Sequence, residues 1–280
     1  MKGNIDTSSI SSQILFCTVR VVGQKGDGDT SVGTAFFFTF KDSACEFPVL
    51  VTNKHVVEGC AKGTFLLHEA NQDGKPAGSL TVAFENFDSQ WIGHPADVDL
   101  CAMPIAPLLR AAQQQGKSVF RRSFTEDQIP TSGMLGSLMA LEDVIMVGYP
   151  IGLWDSKNNL PILRRGITAS HPVVDFEDRP EGLIDIAAFP GSSGSPVSIL
   201  NQGSFATPKG ISMRSRFLFL GILYGGPQYR ADGTMEIVEI PTAQVPSVRT
   251  HIPIHIGTYI KSRELLEIKR VLLELAKKQE

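Results

Sequence analysis

The chain has 280 residues, of which 42% are hydrophobic and 20% charged, and its net charge is -3 at pH 7. This composition is typical of a globular protein with one large core or two medium cores. It lacks the basic character of nucleic-acid-binding proteins, and its apolar runs are too short to cross a membrane. We therefore expect neither nucleic acid nor membrane as a partner.

The N-terminal residues 1–13 are polar and contain no apolar segment of the kind found in secretion signals. Four cysteines lie far apart, at spacings that match no metal site: Cys17, Cys45, Cys60 and Cys101. Reduced thiols are favoured over disulfides for this pattern, which predicts a cytoplasmic location. The sequence indicates no cofactor and no metal.

From Ile14 to Ile260 the sequence predicts short strands separated by turns that contain Gly and Pro, without alternation of strands and helices. The predicted strands are residues 14–22, 33–40, 47–53, 63–67, 79–84, 98–103, 144–148, 182–187, 217–224 and 252–260. Such a pattern is typical of an all-β barrel or sandwich. Between Ala106 and Leu141 the strand signals weaken, which predicts a linker between two barrels.

The last part of the chain has a helical pattern. Ser262 is a candidate N-cap, and the apolar positions that follow recur at helical spacing: Leu265, Ile268, Leu272 and Leu275. The pattern predicts a helix that packs one apolar stripe against the barrel, with a coiled-coil or partner-binding helix as the alternative. The predicted organisation is an N-terminal barrel at 14–106, a linker at 107–141, a C-terminal barrel at 142–260 and a helix at 261–280.

Three segments carry residue types that suit nucleophilic catalysis. Ser193 lies in a glycine-flanked turn, His55 follows an apolar strand, and Asp97 and Asp99 stand at the head of another predicted strand. Serine is a weak nucleophile until an imidazole accepts its proton, and the imidazole needs a carboxylate to fix its tautomer. Each segment alone also fits a turn or a structural role.

Seven segments taken in order give a more specific result. They are GTAFFF at 33–38, VLVTNKHVV at 49–57, DLCAMPI at 99–105, VGYPIGLWD at 147–155, RRGITAS at 164–170, FPGSSGSPV at 189–197 and GILYGG at 221–226. In these segments the sequence resembles the trypsin/chymotrypsin-fold serine peptidases, and among them the bacterial trypsin-like branch. The resemblance implies an all-β fold of two six-stranded antiparallel Greek-key barrels, here followed by a C-terminal α-helix.

The resemblance also implies roles for individual residues. His55 is expected to be the general base, Asp99 to orient it and Ser193 to be the nucleophile, with Asp97 as the alternative to Asp99. The backbone amides of Gly191 and Ser193 are expected to form the oxyanion hole.

Substrate recognition is assigned to two further places. Tyr224, Gly225 and Gly226 are expected to offer a strand edge to an extended substrate. Ala187, six positions before the serine, is expected to form the floor of the pocket for the substrate residue on the acyl side of the scissile bond, here called P1. An uncharged floor favours small or apolar P1 side chains over Lys or Arg.

One departure from the family pattern bears on activation. Digestive members carry an Asp directly before the serine, which pairs with a newly cut N-terminus, whereas this chain has Ser192. Activation by N-terminal cleavage is therefore not expected, and any regulation falls to loops or a regulatory protein partner. The predicted function is a cytoplasmic, regulated or effector serine endopeptidase that acts on protein or peptide substrates. The alternative is a catalytically silent protease-fold binding or scaffold module.

Overall fold

The computed structural model describes residues 5–42, 45–226, 228–232, 249–253 and 255–278. Its first nine strands form one N-terminal sheet. They are β1 (Thr18–Lys25), β2 (Thr30–Asp42), β3 (Cys45–Thr52), β4 (Cys60–Ala70), β5 (Pro76–Glu85), β6 (Ile92–Gly93), β7 (Cys101–Pro104), β8 (Val119–Phe120) and β9 (Phe124–Thr125). The hydrogen-bonded order is β5-β4-β1-β2-β3-β7-β6, with β8 added to β4 and β9 to β2.

The aromatic run of β2 is explained by burial on both faces of the strand. Because neighbouring residues of a strand point to opposite faces, Ala35 and Phe37 enter the core of the N-terminal sheet. Phe36, Phe38 and Phe40 enter a second cluster, which also contains residues of the C-terminal barrel. Strand β2 therefore separates the N-terminal core from the core shared by the two halves of the molecule.

The later strands are β10 (Asp143–Gly148), β11 (Ile162–Thr168), β12 (Glu181–Asp185), β13 (Pro196–Asn201), β14 (Phe205–Thr207), β15 (Gly210–Ser212), β16 (Arg216–Gly225), β17 (Gln228–Asp232), β18 (Arg249–Pro253) and β19 (Ile256–Lys261). Six of them close a barrel in the order β10-β11-β12-β19-β16-β13. The pairs β14-β15 and β17-β18 are separate two-stranded sheets.

The described α-helices are α1 (Ile10–Gln13), α2 (Lys54–Val57), α3 (Ala106–Gln114), α4 (Ser132–Gly136) and α5 (Leu265–Lys277). The predicted fold class is confirmed, because the chain is mostly β, with a closed six-stranded barrel, a second sheet and a C-terminal helix. Within residues 107–141, β8 and β9 extend the N-terminal sheet, and α3 and α4 supply helical structure that the sequence did not indicate. The domain boundaries themselves stay predictions.

Several predicted strands begin or end elsewhere. The first starts at Thr18 rather than Ile14, because Ser9 caps α1 and the helical turns continue through Phe16. The predicted strand 98–103 is observed as Cys101–Pro104. It starts later because the amides of Val98 and Leu100 each donate to the carbonyl two positions before, which closes tight turns there. Of the predicted strand 252–260, residue 254 lies outside the described residues.

The role of Ser262 as N-cap of the last helix is corrected by the structure. Glu264, not Ser262, stands at the N-cap position of α5, and the Ser262 hydroxyl donates a 2.6 Å hydrogen bond to the carbonyl of Phe219. A short 3₁₀ turn, Ser262–Glu264, precedes the helix instead. Leu265 and Ile268 are buried against the shared core, as a single apolar stripe requires. Among the described helices, none is long and apolar enough to cross a membrane.

Candidate active site

His55 and Asp99 are joined by two contacts at the end of the N-terminal sheet. The Nδ1 atom of His55 lies 2.5 Å from Oδ2 of Asp99, and the backbone amide of His55 donates to Oδ1 at 3.1 Å. A carboxylate has no proton and can only accept a hydrogen bond, so the proton of a neutral His55 ring sits on Nδ1. Nε2 is left free to accept a proton, as a general base requires.

The backbone around this pair is held by side chains of α2 and its flank. Asn53 donates from Nδ2 to the carbonyl of Asp99 at 2.8 Å. Lys54 donates from Nζ to the carbonyls of His94 at 3.1 Å and Ala96 at 3.3 Å. These bonds fix the loop that carries Asp99 against the short helix that carries His55. Asp97 belongs to the same loop, but no hydrogen bond joins its carboxylate to His55 among the described residues.

Ser193 lies in a turn that two glycines make possible. Gly191 and Gly194 both have φ of +85°, a conformation that side chains with a Cβ rarely adopt. A Cβ at Gly191 would lie 2.6 Å from the carbonyl oxygen of Tyr149, and one at Gly194 would overlap the carbonyl oxygen of Thr34. Both positions therefore require glycine for conformation and for space.

The amides of Gly191 and Ser193 donate no hydrogen bond to any described residue. The orientation of the Gly191 amide is fixed by the preceding residue, because the carbonyl of Pro190 accepts a 2.6 Å hydrogen bond from the amide of Ile151. In a trans peptide the C=O and N–H groups point in opposite directions, so the N–H of Gly191 points away from Ile151. Ile151 has φ of +52°, which is strained for a β-branched residue.

The hydroxyl of Ser193 donates to the carbonyl of Tyr224 at 3.4 Å. No hydrogen bond joins it to His55 in the described part of the chain. His55, Asp99 and Tyr224 nevertheless line one cavity of about 540 Å³, together with residues such as Arg179 and Glu181. Ser193 is thus hydrogen-bonded to a residue of the cavity that His55 and Asp99 line.

Thr34 connects the N-terminal sheet to the serine turn. Its amide donates to the carbonyl of Ser193 at 2.9 Å, and its hydroxyl donates to the carbonyl of Gly191 at 3.1 Å. The same hydroxyl accepts from the amide of Tyr149 at 3.2 Å. The sequence analysis did not assign a role to this residue, although it lies within the segment GTAFFF that carried part of the resemblance.

Ala187 and Ser192 are bridged by a cation that the sequence analysis also missed. Arg164, on β11, donates from Nη1 to the carbonyl of Ala187 and from Nη2 to the hydroxyl of Ser192 at 2.9 Å. Ser192 is fully buried. Burial lowers the pKa of Arg164 to about 10, which leaves it protonated at neutral pH.

The segment Tyr224–Gly226 ends the ladder of β16. Strand β13 pairs with β16 only as far as Pro196 with Ile222, and the register with β19 shifts between Leu223 and Gly225. On the β13 side, Leu223 donates from its amide to the carbonyl of Ser195 and accepts at its carbonyl from the amide of Gly194. Past Leu223, no backbone hydrogen bond to a described residue occupies this edge on that side. Burial raises the pKa of the Tyr224 phenol to about 12.

No protein-family model and no curated protein sequence matches the chain. Among solved structures, the Rv3671c protease from M. tuberculosis in its active form shares 15% identity at a TM-score of 0.45, over 94% of this chain and 82% of that one. The structure of GrC shares 12% at 0.48, over 97% and 98%. The scabies mite inactivated protease paralogue S-I1 shares 11% at 0.43, over 94% and 96%. Values this low carry no argument about activity, which has to come from the residues of this chain.

Proposed function

We propose that the chain is a trypsin-like serine endopeptidase of the bacterial branch, with His55 as general base, Asp99 as its orienting carboxylate and Ser193 as nucleophile. The observation that carries the proposal is the 2.5 Å contact between Nδ1 of His55 and Oδ2 of Asp99. This contact leaves Nε2 free to accept a proton. His55 and Tyr224 line the same cavity, and the Ser193 hydroxyl donates to the carbonyl of Tyr224. The substrates are proteins or peptides, and no cofactor is required.

The reaction begins when the Ser193 hydroxyl turns from the Tyr224 carbonyl towards His55. Oγ attacks the substrate carbonyl carbon while Nε2 takes the hydroxyl proton, and the amides of Gly191 and Ser193 donate to the oxyanion. The imidazolium then gives this proton to the leaving amine, and an acyl-enzyme remains on Ser193. Water then attacks the acyl carbon while His55 takes its proton, and the imidazolium returns this proton to Oγ of Ser193 as the bond to the acyl group breaks and the acid is released.

Each oxyanion donor in comparable sites contributes about 3–4 kcal/mol to transition-state stabilisation. The two donors proposed here need no reorganisation, because the turn that holds them is fixed by Thr34, Arg164 and the two glycines. The substrate backbone is proposed to pair with the open edge of Tyr224, Gly225 and Gly226, which supplies affinity independent of sequence. The floor residue Ala187, taken alone, favours small or apolar P1 side chains over Lys or Arg.

A cytoplasmic location and control by loops or a protein partner are further parts of the proposal. The location is supported by the four cysteines, all of which have free thiols and three of which are buried. Reduced cysteines persist in a compartment kept reducing. Fractionation of cells that produce the chain tests this part, and recovery of the chain outside the cytoplasm would contradict it.

The experiment on activity uses a peptide library blocked at both ends, so that only internal bonds can be cut. Wild-type protein is expected to give defined cleavage products, and Ser193→Ala is expected to lose turnover by roughly 10⁴- to 10⁶-fold without loss of folding. A folded wild-type protein that cuts no peptide would instead favour the binding or scaffold module.

A further inference from the structure

Arg164 points into the molecule while its neighbours on β11 point out. Leu163 and Arg165 are exposed, whereas Arg164 is half-buried, as the alternation of a strand requires. The outward Arg165 binds the carboxylate of Asp143 at 2.8 Å. Among the described residues, the inward Arg164 donates only to a carbonyl and a hydroxyl, those of Ala187 and Ser192.

The charge of Arg164 has no carboxylate partner among the described residues. A guanidinium has five N–H groups, of which these two contacts use two. Its Nε is buried and has no acceptor in the part of the chain that the structure describes. A half-buried cation without a counter-ion is unfavourable, and a carboxylate that accepts two N–H groups is the ligand that compensates it best.

The position of this cation relates it to the reacting bond. The two groups it holds are the ends of the segment Ala187–Ser192, which directly precedes Ser193 and includes Gly191. The guanidinium thus binds the carbonyl of Ala187, the residue that the sequence resemblance places at the floor of the P1 pocket.

We propose that Arg164 forms the charged end of the P1 pocket and selects substrates with an acidic P1 side chain, Glu or Asp. This inference rests on the proposed function and deepens it. Ala187 alone predicts small or apolar P1 side chains. The inference goes further, because the pocket floor has no carboxylate to repel an acidic P1 side chain and the Arg164 guanidinium attracts one. Lys and Arg at P1 are doubly disfavoured, by the missing carboxylate and by repulsion from the guanidinium.

A purely structural role for Arg164 would give a different result from a role in selection. As a brace for the segment Ala187–Ser192, it would affect every substrate equally. As the charged end of the pocket, it changes the ratio between substrates that differ only in P1 charge. Glu and Gln form such a pair, because they have the same shape and differ by one negative charge.

The experiment measures the rate at which two peptidyl phosphonates, identical except for Glu or Gln at P1, label Ser193 in the full chain. Wild-type protein is expected to react at least about tenfold faster with the Glu probe, which corresponds to about 1.4 kcal/mol. Arg164→Gln keeps hydrogen-bond donors but removes the charge, and is expected to bring the ratio close to one. Arg165→Gln, one residue along the same strand, is the matched control and should keep the wild-type ratio.

A wild-type ratio near one, or a ratio that Arg164→Gln leaves unchanged, would overturn the inference. If Arg164→Gln does not fold, Arg164→Lys decides, because it keeps the charge and must keep a preference for Glu. A protein whose Ser193 reacts with a simple fluorophosphonate but with neither peptidyl probe also overturns the inference, and leaves the proposed function standing. Failure of Ser193 to react with any of these reagents removes the proposed function itself.

Discussion

The backbone amide of Thr34 donates a 2.9 Å hydrogen bond to the carbonyl of Ser193, across the boundary between the N-terminal sheet and the C-terminal barrel. The Thr34 hydroxyl adds a bond to the carbonyl of Gly191. The two residues whose amides are proposed for the oxyanion hole are therefore both held by one residue of β2. The N-terminal half of the molecule, to which β2 belongs, also carries His55 and Asp99. Thr34 therefore links the half that carries the proposed base to the turn that carries the proposed nucleophile.

Thr34→Val is expected to lower kcat/KM by roughly 10- to 100-fold while the protein stays folded. The change keeps the shape of the side chain but removes the hydroxyl that binds Gly191 and Tyr149, and small misplacements in an active site carry costs of this size. Peptide turnover and thermal unfolding measure the two effects. Thr39→Val, at another buried threonine of β2, is the matched control. Equal losses in both variants would contradict a specific role for Thr34.

Asp99→Asn is expected to reduce kcat by about 10⁴-fold, because an amide at this position no longer holds the His55 proton on Nδ1. Asp97→Asn is expected to have a mild effect, since no hydrogen bond joins its carboxylate to His55 in the described structure. Initial rates on one peptide substrate compare the two variants directly. A severe loss in Asp97→Asn with a mild one in Asp99→Asn would reverse the assignment.

Gly194→Ala is expected to destabilise the protein by more than Gly203→Ala. Both glycines have positive φ, of 85° and 84°, so an alanine meets the same conformational cost of about 1–2 kcal/mol at each. At Gly194 the new Cβ would overlap the Thr34 carbonyl and lie 2.5 Å from Oγ1 of Thr52, whereas no atom of a described residue lies within 4 Å of it at Gly203. The difference between the two free energies of unfolding, from denaturant titration, therefore reports the close contacts at Gly194. Equal values would mean that the close approach of Thr34 and Gly194 does not hold in solution.

The chain that begins at Met1 is expected to be active without removal of N-terminal residues. Ser192 cannot form the ion pair that cleavage creates in the digestive serine peptidases that the sequence resembles, and Arg164 already holds its hydroxyl. Peptide turnover by the intact chain, with its mass verified before and after the assay, measures this directly. Activity that appears only after trimming would show that Arg164 does not replace that ion pair.

The sequence predicted the fold class because strands and turns follow from local patterns, whereas the roles of the proposed site residues rest on the family resemblance and stay predictions. Strands such as β2 and β10 follow from their apolar residues, and the contact of His55 with Asp99 agrees with the order of the motifs. The N-terminal strand boundary and Ser262 were mispredicted because a cap at Ser9 and a bond to Phe219 outweigh local propensity. Thr34 and Gly191 are 157 positions apart, so no local pattern indicates their bond.

The role of Arg164 was not predicted from the sequence, for a related reason. Two adjacent arginines on a strand usually point to opposite faces, but the sequence does not say which of the two points inward. The inward one meets Ala187 and Ser192 only through the closure of the barrel. The sequence-based expectation for P1 therefore rested on Ala187 alone.

The central claim is that Ser193 is a nucleophile activated by His55, and the most direct measurement is its reaction with a tagged fluorophosphonate. We expect one adduct per chain in wild-type protein, located on Ser193 by peptide mass spectrometry. The adduct should be absent in Ser193→Ala and strongly slowed in His55→Ala, with both variants folded. No adduct on folded wild-type protein, or labelling of Ser193 at the same rate when His55 is replaced, would contradict the claim.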